Sequence, residues 1–308
     1  MTETKRRQRG NARADRRAKR ERSTRASVPF ITRRVPTFEL ASEEVLALIE
    51  NNADTVLETI GIDFRDDPLA LDLLKQAGAS VEGERVRFPK GMCREIISSS
   101  APAEFTQHAR NPDRSVRIGG NHTVLVPAYG SPFVHDLDKG RRYATLSDFE
   151  NFTRLAYMSP SLHHSGGTLC EPVDLPVNKR HLDMIYSHLR WSDKPFMGSV
   201  THPDRAQDTV DMAKIAFGDD FLDTHCAITS LINANSPMTF DATMLGAARV
   251  YAENNQATVI SPFILSGAMS PVTIVGTCTQ ILAEALAGIC FTQLTRKGAP
   301  VIFGTFSS

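Results

Sequence analysis

The chain has 308 residues, 41% of them hydrophobic and 23% charged, with five scattered cysteines and no CxxC pair. That composition excludes a wholly disordered chain, a collagen repeat and a disulfide-stapled miniprotein, while the length allows one large domain or two small ones. Lys and Arg (35) balance Asp and Glu (35), but residues 1–35 hold 13 basic against 3 acidic side chains, so a basic tail precedes an acidic body that is poorly suited to phosphate backbones.

Residues 1–28 are Arg-rich and apolar-poor, which predicts a disordered basic arm. Residues 29–120 predict an α+β lead-in. Ser42 caps an apolar-periodic stretch that Gly61 ends, and Asp67-Pro68 opens a short helix that Gly78 stops. SVEGERVRFP and SVRIGG read as small strands with turns.

From residue 121 the pattern alternates strand, loop and helix. Strands are predicted at 122–130, 163–169, 195–201, 224–233, 257–267 and 299–306, with starts 41, 32, 29, 33 and 42 residues apart. Thr145 and Asp148 form a capping box before one intervening helix. This spacing predicts parallel βα units. No GxGxxG or GxxxxGK[ST] loop favours an open nucleotide-binding sheet. Polar or Gly-rich strand tips (HHSGG, INANSP, LSGAMSP, GTFSS) favour a (β/α)8 TIM-type barrel whose site lies at the C-terminal strand ends. Residues 121–308 supply only about six strands, so the expectation is a partial barrel from a C-terminally truncated sequence. The apolar stretch 272–294 carries Glu284, Gln280 and Gln293, which predicts a buried amphipathic helix and no membrane span. With no apolar leader and unpaired cysteines, a cytoplasmic protein is expected.

Few residues announce chemistry. No HExxH, GxSxG, zinc-finger or EF-hand spacing occurs. His163 and His164, at a strand start, could bind a ligand or simply be satisfied in the interior. Asn233 and Asn235 sit at a strand tip, where amides can orient a small polar ligand or form an ordinary turn. Asp193 and Lys194 read as a structural pair on the opposite face, and the segments 110–114 and 138–142 as solvated turns. Asp223-Thr224-His225 approaches a D-x-H-x-x-G cobalt-ligating pattern, but Ile228 replaces the glycine and the segment lies in a predicted strand.

Longer strings carry a resemblance. HARNP (108–112), PAYGSPFVHDL (127–137), TLSDFENFTRL (145–155), SDKPFMGSV (192–200), INANSPM (232–238), ILSGAMSPVTIVG (264–276) and GAPVIFGTFSS (298–308) resemble the trimethylamine methyltransferase family over essentially the whole chain. No pyrrolysine is written, so the similarity is to the branch that lacks it. The resemblance implies a barrel methyltransferase of methylamine metabolism. It would move a methyl group from a methylated amine, a quaternary amine such as glycine betaine before trimethylamine, to the cobalt of a separate corrinoid protein. No cofactor is then expected on this chain; the corrinoid belongs to the partner. A methylammonium group calls for aromatic faces, for which Phe263 and Phe306, with Phe133 and Tyr129, are candidates. Asn233, Asn235, His163 and His164 could donate to a betaine carboxylate. No catalytic residue is singled out. No membrane or nucleic-acid partner is expected, and a homo-oligomer is compatible with the sequence. Two other readings stay open: a metal-dependent barrel lyase or hydrolase using His163, His164 and His202, and a non-catalytic remnant.

Overall fold

The structure, a computed structural model, describes residues 28–308. The expected basic arm lies outside the described residues except for Val28.

The lead-in begins with β1 (Ile31–Thr32) and α1 (Glu43–Thr59), which Ser42 caps through the Val45 N–H. Then come β2 (Ile62–Phe64), α2 (Pro68–Gln76), the hairpin β3 (Ser80–Glu82) and β4 (Arg85–Arg87), and α3 (Met92–Ser100). β5 (Glu104–Gln107), β6 (Val116–Gly119) and β7 (His122–Thr123) join β1 in an antiparallel sheet of order β1-β7-β6-β5. A hairpin of β8 (Phe133–Asp136) and β9 (Gly140–Tyr143) precedes α4 (Leu146–Met158). Both halves of the Thr145–Asp148 capping box form at the start of α4.

The remaining elements wind a parallel sheet, apart from residues 239–240, which pair with β2. They are α5 (Arg180–Trp191), β10 (Phe196–Met197), α6 (Pro203–Phe217), α7 (Asp219–Thr224), β11 (Ile228–Ala234), β12 (Thr239–Phe240), α8 (Ala242–Glu253), β13 (Ala257–Ile264), α9 (Ile274–Thr295), β14 (Val301–Phe303) and β15 (Phe306–Ser307). β10, β11, β13 and β14 are hydrogen-bonded in that order, and β15 continues beside β13. Two of the six expected strands are not regular strands. Residues 124–130 and 163–168 still run alongside in the same sense: the His163 N–H donates to the Leu125 carbonyl (2.9 Å), Gly130 to Thr168 (2.8 Å), Ser165 to Pro195 (2.7 Å) and Met197 to Gly166 (2.9 Å). Pro127 has no N–H to give, and Gly166 adopts a left-handed φ of 87°, so neither segment sustains a ladder. The result is a mixed α/β fold with a parallel sheet curled as a half barrel.

One core joins the lead-in to this sheet. Phe64 packs against Phe88, Phe240 and Phe291 with ring centroids 5.8–6.5 Å apart. The helix α9 lies between α1, α3 and the sheet. It is long and apolar enough to cross a membrane, yet two-thirds of its most apolar window is buried within the protein. It is therefore apolar nearly all round, where an amphipathic helix was expected. Gly288 sets its approach: a Cβ there would stand 2.7 Å from Ile260 and 2.8 Å from Phe240.

Candidate functional site at the C-terminal strand tips

The two faces of the sheet differ. Ile228, Ile232 and Ala234 of β11 and Ile260 of β13 enter the core beneath the helices. Side chains alternate along a strand, so Leu231 and Asn233 turn to the concave face. Register carries that face across the sheet: Leu231 pairs with Val259, Asn233 with Ser261, and Phe263 with Phe306. Near the strand ends, then, Asn233, Ser261, Phe263 and Phe306 share one surface.

The two phenylalanine rings stack at a centroid distance of 4.9 Å with 5° between their planes. Both stay open to solvent, at 48% and 64% exposure. An exposed aromatic stack leaves π-faces free for a cation, with an attraction of about 0.5–2 kcal/mol depending on desolvation. The Asn233 amide, half-buried beside it, has no side-chain partner among the described residues. Tyr129 comes against Gly167, close to Met197 of β10. Gly167 leaves the room for its hydroxyl, since a Cβ there would lie 2.7 Å from that oxygen.

The other sequence candidates have partners of their own. Asn235 is exposed, and its amide donates to the Asp241 carboxylate (2.6 Å), which caps α8 through the Met244 N–H. His163 and His164 begin their segment, towards the opposite end of the sheet. The Leu125 N–H donates to His163 Nδ1 (2.9 Å) and the Gly166 N–H to His164 Nδ1 (2.9 Å). His164 Nε2 lies 3.2 Å from the Gln107 amide oxygen, while Gln107 donates to the Phe196 and Ala227 carbonyls. Burial, with Lys194 and His188 nearby, lowers His164 to about 3, and burial also lowers His163. Phe133 packs on Tyr143 beneath the Arg141 guanidinium, in the β8–β9 hairpin.

Several turn readings need correction. Asp193 and Lys194 do not pair with each other. Asp193 binds Arg114 (3.0 Å) and the Asn111 amide (3.2 Å), whereas Lys194 Nζ donates to the Ala156, Ser159 and Leu162 carbonyls (2.7–3.0 Å) where α4 ends. Arg142 is no solvated turn residue either. It bridges Asp136 and Asp148, and its guanidinium is the main reason that Asp148 sits well below the usual carboxylate range. His202 caps α6, apart from His163 and His164, and among the described residues no group of three or more His, Cys, Asp or Glu could hold a metal. His225 stacks on Phe221 at 4.3 Å, before β11 begins and so away from the strand tips. Sequence reasoning missed Ser261, which only strand register brings beside Asn233.

The family model described as trimethylamine methyltransferase matches residues 6–308. A glycine betaine methyltransferase of Desulfitobacterium hafniense (strain Y51) is 44% identical over 278 residues, covering 89% of this chain and 57% of that protein. A proline betaine:corrinoid methyltransferase of Eubacterium limosum is 27% identical, covering 91% and 58%. A trimethylamine methyltransferase of Desulfitobacterium hafniense (strain DSM 10664 / DCB-2) is 27% identical, covering 88% and 55%. The chain spans about half the length of the curated relatives it matches. With the family model covering nearly every residue, the chain belongs to the trimethylamine methyltransferase family.

Proposed function

We propose that this protein transfers a methyl group from a quaternary amine, glycine betaine first, to the cobalt of a separate corrinoid protein. The observation that carries this reading is the exposed Phe263–Phe306 stack at the strand tips, with Asn233 and Ser261 on the same face. The names of the relatives, two of which act on betaines, point the same way. In a quaternary ammonium the positive charge spreads over the methyl groups, and aromatic faces attract it without a hydrogen bond. When the N–CH3 bond breaks, nitrogen keeps the bonding pair and leaves as a neutral tertiary amine, so no side chain has to protonate it. The corrinoid of the partner supplies the nucleophile. The residues of this chain then bind, orient the methyl group outward and exclude water, which is where their rate advantage arises. Asn233, whose amide no side chain among the described residues holds, would donate to the carboxylate. A cytoplasmic setting fits this chemistry.

The test is methyl transfer from glycine betaine to a reduced corrinoid acceptor, followed by cobalt absorbance. Phe263→Ala and Phe306→Ala should each lower kcat/KM about tenfold, the equivalent of ~1.4 kcal/mol. Unchanged rates in both variants would remove the aromatic pair from the site, and trimethylamine turned over in preference to glycine betaine would overturn the substrate class.

A further inference from the structure

A separate space lies along the same rim, away from the aromatic pair. A cavity of about 180 Å³ opens between the tips of residues 163–168 and β10 and the flank of α5 and α6. β13, which carries Phe263, stands two strands along from β10. One wall is apolar, with Met184, Ile185 and Met197; the other carries Arg180, His181, Thr201 and Arg205.

The polar wall has bonding capacity left over. Arg180 is engaged by Glu171 and the Leu175 carbonyl, but its buried Nε has no partner. Arg205 donates to the Thr201 hydroxyl (2.9 Å) and has no carboxylate partner among the described residues, so the wall carries one uncompensated cation. His181 is 7% exposed, and its Nε2 meets an Asp208 oxygen at 2.7 Å while Nδ1 has no partner. The Nδ1 nitrogen is left for a ligand to pair. Unpaired buried nitrogens are costly, and a ligand that pairs them removes the cost.

We propose that this cavity binds a small carboxylate with a compact apolar tail, at a site separate from the aromatic pair. Guanidinium groups match the planar carboxylate. The wall of Met184, Ile185 and Met197 takes a hydrocarbon tail, whereas a fully hydrated inorganic phosphate would gain nothing from it. The cavity has no aromatic ring among its lining apart from the two histidines, so an ammonium head earns no special attraction there.

The test titrates the chain with 3,3-dimethylbutyrate, which has the shape and carboxylate of glycine betaine without its positive charge. Calorimetry should give saturable binding, and nitrogen-15 spectra should show the His181 ring shifting while exposed His202 stays still. Arg205→Ala should weaken binding at least about tenfold, as the loss of a charged hydrogen bond does. Thr201→Val serves as the second variant should Arg205→Ala fold poorly, and Phe263→Ala should bind as tightly as the parent. Glycine betaine then competes against the bound analogue in the Phe263→Ala chain. No displacement supports a carboxylate site separate from the substrate's own, and displacement would overturn that separation by placing the substrate itself in the cavity. Absence of saturable binding, equal binding in both cavity variants, or tighter binding of inorganic phosphate would overturn the proposal. None of these results depends on methyl transfer.

Discussion

Arg249 and Asp67 lie 182 residues apart in the chain, yet one guanidinium nitrogen of Arg249 stands 2.6 Å from each carboxylate oxygen of Asp67. The pair ties the lead-in to the helices behind the sheet. Asp67 is 6% exposed and also caps α2 through the Ala70 N–H (3.0 Å). Arg249→Ala strands a buried carboxylate and should cost ~2–3 kcal/mol, below a fully buried pair because the arginine keeps some solvent contact. Asp67→Ala also loses the cap, worth about 1 kcal/mol more. Urea denaturation of both variants and the double mutant checks this; additive losses would show that the two side chains do not act together.

Glu284 on α9 is fully buried and accepts from the Ser236 hydroxyl (2.5 Å), the Met238 N–H (2.8 Å) and the Gln280 amide (2.9 Å). It pins the turn after β11 to the core helix. Glu284→Ala orphans three donors and opens a hole, so a loss of ~3–4 kcal/mol is expected. Glu284→Gln retains one acceptor oxygen and should lose less than half of that. Thermal unfolding of the two variants side by side decides, and equal melting temperatures would mean that water replaces the carboxylate without penalty.

The two asparagines of the β11 tip should separate cleanly. Asn235→Ala releases Asp241 at the start of α8 and should cost about 1 kcal/mol of stability. Asn233→Ala removes an amide that no side chain holds and should stay within about 0.5 kcal/mol of the parent. Its effect belongs in methyl transfer instead, as a raised KM for glycine betaine. The opposite assignment, with stability lost at Asn233 and turnover lost at Asn235, would exchange their roles.

Acid should weaken the fold before the carboxylates titrate. Burial lowers His164 to about 3 and His188 to about 4, and it also lowers His108 and His163. These rings are neutral in the folded chain at pH 7, while in the unfolded chain they take a proton near pH 6.5. Their contribution is therefore complete above pH ~6.5 and is lost as pH falls towards the folded values, at up to ~1.4 kcal/mol per pH unit for each ring. The urea midpoint should drop between pH 7 and pH 5. Asp148, held low by Arg142, adds its own loss only at more acidic pH. A flat midpoint across that interval would mean that the rings accept protons in place.

The parts that could be read from the sequence are those written in local chemistry. Ser42, Asp67 and the Thr145–Asp148 box start their helices as their side chains dictate. The runs at β11 and β13 are apolar enough to be strands buried on both faces. Residues 163–169 misled because Gly166 and Gly167, which look harmless in a strand, instead end the ladder and admit Tyr129. The helix α3 was missed because Gly91 and a serine run hide the apolar stripe of Met92, Cys93, Ile96 and Ile97. At the site, Phe263 and Phe306 could be named from their residue type and position, but their stacking depends on the register between β13 and β15, which no local pattern encodes.

The ladder between β11 and β13 pairs six consecutive residues, whereas residues 124–130 and 163–168 touch their neighbours through isolated bonds separated by turns. Amide protons of β11 and β13 can exchange with solvent only when the centre of the sheet opens, so they should be the slowest in the molecule to take up deuterium. Those of residues 124–130 and 166–168 need only a local excursion. The two candidate ligand sites thus rest on ground of different stiffness: the aromatic pair stands just past the end of the slow-exchanging ladder, and the carboxylate cavity borders the segment held only by isolated bonds. A guest in the cavity would reveal itself by slowing deuterium uptake there, while the centre of the sheet kept its own pace.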